Sequence, residues 1–167
     1  MMPQHLLAFD PGLRVCGLCV LDLATGRVVR ATAGMSPQGM PGQGPDVWRA
    51  TLAHTVSQLA GLNIVRIVAE WPQIYTTRKT DPAPLLLLAA IDGALAMAFP
   101  DAEMTVTTPR QWKGQRPKEA TTAQALRVLG AGELATIEDG CKRVPADLRH
   151  NVWDAVALGL ITLHRMR

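Results

Sequence analysis

The sequence has few of the features that mark secreted or membrane proteins. Only 3 of its 167 residues are cysteines, which is too few for a disulfide framework. The run that comes closest to a membrane span, residues 82–100, carries Asp92 and falls short of the roughly 18 uncharged apolar residues that a span requires. No basic segment with a cleavage site marks a signal peptide. These absences predict a protein of a reducing cytoplasm with no membrane partner.

The basic residues and the cysteines indicate which classes of binding site to expect. The formal net charge is +3, and many of the basic residues fall in predicted loops: Arg78, Lys79, Arg110, Lys113, Arg116, Lys118, Lys142 and Arg143. Loop cations of this kind suit a phosphate backbone, although solubility alone is a sufficient explanation for any single one. Cys16 and Cys19 alternate with apolar residues as in a buried strand, and no cluster of Cys or His completes a zinc site around them.

Near the N-terminus, an apolar run ends abruptly at a single carboxylate. Residues 5–10 are predicted to form a buried strand, and Pro11 and Gly12 form the turn that ends it. Asp10 would therefore lie at the C-terminal tip of the strand, where α/β proteins usually place their chemistry. Because an ionised carboxylate is costly to bury alone, Asp10 either accepts backbone N–H bonds in the turn or binds a ligand. This stretch by itself favours neither interpretation.

The same pattern occurs a second time further along the chain. Residues 64–69 form a short, mostly β-branched apolar run, and Glu70 follows it directly, before Trp71 and Pro72. The tips of neighbouring strands lie only ~5–10 Å apart. Two carboxylates at that distance repel each other unless they share a cation, so the repetition favours a ligand-binding role for both.

The last predicted helix, residues 147–165, changes character along one face. At about 100° per residue, Asp147, His150, Asn151 and Asp154 share that face, and apolar residues continue it. A helix with a polar beginning and an apolar body packs on a sheet while its first turns overhang a site. A purely structural role is the alternative, which for His150 means a surface or capping position.

The order of elements predicts an α/β fold with a five-stranded mixed sheet flanked by helices. Three antiparallel strands open the chain and two parallel strands follow, at residues 5–10, 14–22, 26–32, 64–69 and 103–107. Helices are predicted at residues 46–61, 85–99, 118–129 and 147–165. Residues 108–116 are predicted to form a loop or short turn, and residues 130–145 to be irregular, with at most one helical turn.

Hydrophobic spacing predicts which helix faces are buried. In the first helix, for which Asp46 is the expected N-cap, the buried stripe is Trp48, Leu52, Val56 and Leu59. In the helix 118–129 it is Ala120, Ala123, Leu126 and either Val128 or Leu129. The helix that begins at Leu85 is almost wholly apolar as far as Ala98, so it is either buried on all sides or pairs with a second subunit.

Four stretches carry a family resemblance. In chain order they are Phe9-Asp10-Pro11-Gly12 with Arg14 and Gly17; Ala69-Glu70; Thr107-Thr108-Pro109-Arg110-Gln111-Trp112-Lys113 with Lys118; and His150-Asn151-Val152-Trp153-Asp154-Ala155. This pattern resembles the RuvC-like Holliday junction resolvases, which belong to the RNase H-like nucleases. The resemblance covers nearly the whole chain and implies a single nuclease domain over residues 1–167.

The resemblance implies a metal-dependent endonuclease that resolves four-way DNA junctions by paired symmetric nicks. Asp10, Glu70, Asp154 and His150 would hold two Mg²⁺ or Mn²⁺ ions roughly 3.5–4 Å apart. Lys113 or Lys118 would stabilise charge on the scissile phosphate. The implied DNA contacts are Arg14, Tyr75, Arg78, Lys79, Arg110, Lys113, Arg116 and Lys118. Tyr75 or Trp71 is placed to stack on an unpaired base, with core packing the favoured role of Trp71.

The chain departs from the family pattern at two points. Several members carry another carboxylate three or four residues before the final aspartate, where this chain has Asn151 and His150. We assign that role to His150, with Asn151 as its rival. The second departure is the stretch 130–145, which is longer than expected between the last two helices. Its acids, Glu138 and Asp139, are predicted to be solvated.

Two matched cuts in a nearly two-fold symmetric junction imply a homodimer, and the helix from Leu85 to Ala98 is its expected interface. A bacterial or a phage-encoded cytoplasmic enzyme fits equally. The alternatives are an RNA-processing nuclease of the RuvX/YqgF type, whose glycine-and-proline motif after the fourth strand is missing here, and a junction-binding protein that does not cleave. Actin-like or sugar-kinase ATPases need two duplicated domains, and this chain has room for one.

Overall fold

The computed structural model describes residues 2–37, 44–73, 82–114 and 116–166, except for the side chain of Lys118. Its sheet comprises β1 (His5–Asp10), β2 (Val15–Asp22), β3 (Val28–Met35), β4 (Ile64–Glu70) and β5 (Glu103–Thr107). The strands lie in the order β3-β2-β1-β4-β5. β2 is antiparallel to β1 and β3, whereas β4 is parallel to β1 and β5. The predicted fold class, a five-stranded mixed α/β sheet flanked by helices, is confirmed.

The described helices are α1 (Pro45–Gln58), α2 (Ala83–Ala98), α3 (Pro109–Trp112), α4 (Lys118–Val128), α5 (Ala131–Cys141) and α6 (Arg149–Thr162). A 3₁₀ turn, Ala146–Leu148, precedes α6. Within the described part of the chain, no helix combines the length and the apolar character needed to cross a membrane.

Helices cover both faces of the sheet, and β1 is buried on each side. Leu7 and Phe9 pack in the core formed with α1 and α2, which includes Ile91. Leu6 and Ala8 project to the opposite face and pack in the core formed with α4, α5 and α6. Because alternate residues of a strand point to opposite faces, a strand buried on both sides is apolar throughout, which explains the opening run of the sequence.

The two cysteines of β2 belong to the core, as predicted. Cys16 and Cys19 have no exposed surface and lie on opposite faces of the sheet. Burial raises the pKa of the Cys16 thiol to about 12 and raises that of Cys19 as well. Both thiols therefore stay protonated and act as small apolar groups.

The buried face of α1 is offset by one residue from the predicted one. Val47, Thr51 and Thr55 are buried. The hydroxyls of Thr51 and Thr55 each donate a 2.8 Å hydrogen bond to the carbonyl oxygen four residues earlier, so they are buried without losing a partner. Of the predicted stripe, Leu59 is fully buried, and Trp48 and Leu52 are partly buried and pack against the same core. Val56 is only partly buried.

Two further predictions about the helices are wrong. Gly44, not Asp46, is the N-cap of α1, and Asp46 pairs instead with Arg49 on the exposed surface. In α4 the buried residues are Thr121 and Ala125, and Leu129, which follows the helix, is buried in agreement with the prediction. The other predicted residues are exposed: Ala120, Ala123 and Leu126. Alanine and threonine line the buried side of this helix, and hydropathy does not separate them from their neighbours.

The stretch predicted to be irregular contains a complete helix, α5. Glu133 accepts a 3.0 Å hydrogen bond from the backbone N–H of Gly130 at the helix start and a 2.8 Å bond from that of Val28 on β3. Nη1 of Arg165 lies 2.6 Å from the same carboxylate, and these contacts hold the pKa of Glu133 down to about 2, against the effect of its burial. Glu138 and Asp139 are exposed, as predicted.

Helix α2 is not buried on all sides. Ile91, Asp92 and Leu95 face the core, but Leu86 and Met97 are 69% and 80% exposed. Eleven residues complete about three helical turns, so Leu86 and Met97 share one exposed apolar face. The predicted dimer interface on this helix stays a prediction.

Candidate active site

Asp10 and Glu70 lie side by side where two neighbouring strands end. β1 and β4 are parallel, and Phe9 is in register with Ala69, so the next residue of each strand is an acid. Adjacent strands are about 4.8 Å apart. The residues two positions earlier in each strand both belong to the core beneath α6. Since side chains alternate along a strand, both carboxylates project to the α6 face of the sheet.

Helix α6 brings Asp154 to the same place, the C-terminal ends of β1 and β4. We call this end of the sheet the acidic edge. Gly17, the partner of Asp10 on β2, lies so close to the first turn of α6 that a Cβ atom would come within 1.9 Å of the carbonyl oxygen of Asn151. Only glycine permits this approach. Asp154 is three residues further along and 8% exposed. Asp10, Glu70 and Asp154 therefore lie near one another at the acidic edge and on the α6 face of the sheet.

The environment of Glu70 is the best-defined part of the site. Burial raises the pKa of its carboxyl group, and the negative charge of Asp154 raises it further. Lys113 and Trp112 oppose this effect: Nε1 of Trp112 donates a 2.7 Å hydrogen bond to Oε2, and Nζ of Lys113 lies 3.6 Å from the same oxygen. The carboxylate of Glu70 and the ammonium group of Lys113 therefore lie close together, and both side chains are largely shielded from solvent.

A short helix places both of these partners. Thr108 and Gln111 form a capping box that fixes the start of α3 directly after β5. Trp112 ends the helix and is 7% exposed, and Nζ of Lys113 lies 4.8 Å from the centroid of its ring. Lys113 was predicted as a site residue, but the contact of Trp112 with Glu70 was not, because nothing in the local sequence indicates an acceptor 42 residues away.

His150 and Asn151 both lie in the first turn of α6. Nδ1 of His150 is 2.7 Å from the carbonyl oxygen of Asp147, an acceptor only. A neutral ring that donates from Nδ1 presents Nε2 as its acceptor atom. Asn151 contributes its backbone to the contact with Gly17. Neither contact distinguishes His150 from Asn151 as a further ligand, so the prediction keeps both alternatives.

Of the other predicted DNA-contacting residues, the structure describes the side chains of Arg14, Arg110 and Arg116. Arg14 and Arg110 are exposed, and Nη1 of Arg116 donates a 3.1 Å hydrogen bond to Oε1 of Gln124. Tyr75, Arg78 and Lys79 lie outside the described residues, as does the side chain of Lys118. The predicted core role of Trp71 is wrong: its backbone N–H extends the β4–β5 pairing by a 2.8 Å bond to Thr107, and its side chain is 39% exposed.

Asp92 is a buried acid that no local sequence pattern connects with the site. It is fully buried on α2, and neither carboxylate oxygen has a hydrogen-bond partner within the described part of the chain. Burial raises its pKa to about 8, and the charge of Glu70 acts in the same direction. At pH 7 the neutral form of Asp92 is therefore favoured, and its carboxyl group lies within electrostatic range of Glu70.

The donor atoms at this edge suit a hard divalent cation, because carboxylate oxygens are the ligands that Mg²⁺ and Mn²⁺ prefer. A cation would also relieve the repulsion that raises the pKa of Glu70. In the observed arrangement, however, the described residues contain no group of three His, Cys, Asp or Glu side chains placed to surround one ion. Oε2 of Glu70 already contacts Trp112 and Lys113. The carboxylates therefore have the chemistry to bind a divalent metal ion, but they are not arranged around a common point.

A mixed sheet of this strand order, with acids on its first and fourth strands and on its last helix, defines an RNase H-like fold. Two of the solved structures that it resembles are of RuvC. A RuvC structure from Thermus thermophilus matches over 98% of both chains with a TM-score of 0.58 and 16% sequence identity. The T. thermophilus RuvC bound to a Holliday junction substrate matches 93% of this chain and 90% of its own, with a TM-score of 0.55 and 17% identity.

These similarities confirm the predicted RuvC-like fold. No protein-family model matches the chain, and no curated protein matches it in sequence.

Proposed function

We propose that this protein is a metal-dependent endonuclease that resolves four-way DNA junctions by paired symmetric hydrolysis of phosphodiester bonds. The observation that supports this most directly is the meeting of Asp10, Glu70 and Asp154 beside Lys113 at one sheet edge. The fold adds weight, since one of the RuvC structures that it resembles is bound to a Holliday junction substrate. A single nuclease domain over residues 1–167 is part of the proposal.

Asp10, Glu70 and Asp154 would hold the divalent ions, Mg²⁺ or Mn²⁺, with His150 or Asn151 as the further ligand. A bound ion would supply an activated water and charge stabilisation at the phosphate. We propose two ions per site. An ion bound by Glu70 would replace Lys113 as the positive charge beside this carboxylate, which would leave the ammonium group of Lys113 available to an incoming phosphate.

Lys113 and Trp112 have separate tasks in this proposal. Trp112 keeps Glu70 oriented through its 2.7 Å hydrogen bond, which does not require Lys113. Lys113, released from Glu70, would stabilise the negative charge that develops on the phosphate oxygens. Lys118, at the first position of α4, is the second candidate for that role.

DNA would contact the surface around this edge. Exposed Arg14 and Arg110, together with Arg116, Arg78 and Lys79, would bind phosphates. Trp71, which follows Glu70 and is 39% exposed, is placed to stack on an unpaired base, and Tyr75 is the alternative.

Two matched cuts would come from a homodimer. The exposed face of α2 carries Leu86 and Met97 at its ends and two small residues, Ala90 and Gly93, between them. Small residues allow two helices to approach closely along such a face. We therefore propose α2 as the dimer contact.

The experiment compares three substrates, each with Mg²⁺, with Mn²⁺ and with EDTA: a four-way junction, a linear DNA duplex and an RNA–DNA hybrid. We expect paired symmetric nicks in the junction alone, only with metal, and none with the Asp10→Asn protein, which should still bind the junction. Cutting of RNA instead would support the RuvX/YqgF-type alternative. Junction binding without cutting under every metal condition would support a protein that binds junctions but does not cleave.

A further inference from the structure

A basic groove opens beside the acidic edge of the sheet. It is a cavity of about 640 Å³, and the described residues that line it include four cations and no acid: Arg14, Lys142, Arg143 and Arg149. A concave surface with charge of one sign concentrates ions of the opposite sign. The groove therefore fits an anionic ligand.

The groove adjoins the proposed active site. Val15, which lines it, precedes Gly17 by two residues on β2, and Gly17 pairs with Asp10. Two residues of a strand span only about 7 Å. On the other wall, Arg149 begins α6, which carries Asp154. An anionic chain lying in the groove would lead directly to the acids.

A second cavity continues the groove along the edge strand β3. It measures about 490 Å³, and it shares Arg143 with the first cavity and adds Arg30. The acid that lines it, Asp139, lies 3.1 Å from Nζ of Lys142. Arg143 has no ion-pair partner among the described residues. We call the joined surface the basic track, which consists of Arg14, Arg149, Lys142, Arg143 and Arg30.

Helix α5, which belongs to the stretch that is longer than the resolvase resemblance predicts, builds one wall of the track. Gly140 lies so close to β3 that a Cβ atom would come within 1.6 Å of the carbonyl oxygen of Ala31. Nε of Arg149 donates a 3.0 Å hydrogen bond to the carbonyl oxygen of Val144. These contacts fix the segment that carries Lys142 and Arg143 before a ligand binds, which lowers the entropic cost of binding.

We infer that the basic track binds the phosphate backbone of one double-stranded arm of a DNA substrate and directs that arm to the acids. The inference rests on the proposed function. Exposed lysine and arginine side chains on such a surface contact phosphates rather than base edges, so the binding is independent of sequence. Each contact releases counterions, which makes the affinity depend on salt concentration.

The test measures DNA binding by the full chain with Asp10→Asn, which prevents cleavage. Two double variants are made in this background. Lys142→Gln with Arg143→Gln changes the track, and Arg49→Gln with Arg127→Gln removes the same charge from exposed helix positions outside it. Thermal unfolding of both must match that of the parent, which excludes a folding defect.

The track variant should bind a four-way junction and a linear duplex about tenfold more weakly near 0.1 M salt. A plot of the logarithm of the association constant against the logarithm of the salt concentration has a negative slope. The magnitude of this slope should decrease by about two, as expected for two lost phosphate contacts. The control variant should change neither quantity. Unchanged affinity and slope in the track variant would overturn the inference.

Inorganic phosphate and poly-glutamate serve as the competing probes. If the track variant loses binding of either one while it binds DNA normally, the groove is a small-anion site or a docking surface for an acidic protein, and the inference is wrong. Failure of the proposed function gives a different result. In that case no metal supports junction cutting by the unmodified protein, yet the track variant still weakens DNA binding.

Discussion

The indole Nε1 of Trp112 donates a 2.7 Å hydrogen bond to Oε2 of Glu70 and so connects helix α3 to the acidic edge of the sheet. This bond stabilises the charged form of the carboxyl group and opposes the rise in pKa that burial and Asp154 cause. Nζ of Lys113 lies 3.6 Å from the same oxygen. In the proposed mechanism Lys113 turns to a phosphate, and Trp112 would then be the donor that keeps Glu70 ionised and oriented.

Replacing Trp112 by Phe keeps an aromatic ring in the core and removes the donor. We expect junction cleavage to fall about tenfold at neutral pH, because a hydrogen bond to a charged group contributes ~1.5–3 kcal/mol. The acid limb of the pH–rate profile should also move to higher pH, since Glu70 then keeps its proton to a higher pH. Trp48→Phe is the matched control, because its Nε1 has no acceptor in the described part of the chain. An unmoved limb in Trp112→Phe would contradict this role.

Gly17 should be intolerant of any side chain. Gly17→Ala forces its Cβ atom against the carbonyl oxygen of Asn151, so α6 has to move away from β2 and carry Asp154 with it. We expect a loss of about 1–3 kcal/mol in the free energy of unfolding and at least a tenfold loss of cleavage. Urea unfolding and a junction-cutting assay measure the two effects. Gly132→Ala, at an open position on α5, should preserve both, and an equal loss in this control would show that the effect is not specific to the contact.

The strand tips were predictable because their signals are local. An apolar run, a carboxylate and a proline within a few residues define the ends of β1 and β4, and the parallel pairing of these strands brings Asp10 and Glu70 together. The same locality explains Asp154, which lies where a polar helix face turns apolar.

The errors arise where a residue's environment is set by a distant partner. Glu133 holds α5 in place through Arg165, which lies 32 residues further along the chain. Because this partner is distant in sequence, the local pattern of residues 130–145 predicts an irregular segment instead of a helix. Thr51 satisfies its own hydroxyl within α1 and can be buried, although hydropathy places it outside. Trp112 reaches Glu70 only because β4 and β5 are neighbours, a fact that the tertiary fold supplies.

Asp92 should make the stability of the protein depend on pH. Its pKa is about 8 in the folded protein and near the ordinary aspartate value of 3.8 in the unfolded chain, so between these pH values only the folded state keeps the proton. The free energy of unfolding should therefore fall as the pH rises from about 4 to about 8, by at most ~1.4 kcal/mol per pH unit.

Asp92→Asn removes this titration without changing the shape of the side chain. Urea unfolding at pH 5, 7 and 9 in EDTA should show the variant gaining stability relative to the parent at each step up to about pH 8. For Asp101→Asn, at an exposed position, the curve of unfolding free energy against pH should run parallel to that of the parent. If the Asp92→Asn curve also runs parallel to the parent, Asp92 is ionised in the folded protein and the proposed protonation is wrong.

The exposed face of α2 carries the last prediction. If Leu86 and Met97 pack against a second copy, Leu86→Glu with Met97→Glu places buried, unpaired charges in the contact, which costs several kcal/mol. Sedimentation velocity at micromolar concentration should show a dimer for the parent and a monomer for the variant, and the variant should lose paired nicking of the junction. Leu126→Glu, at a 45% exposed position on α4, should leave the dimer intact. A monomeric parent would contradict the interface, and with it the proposal that the two cuts are made by symmetric copies.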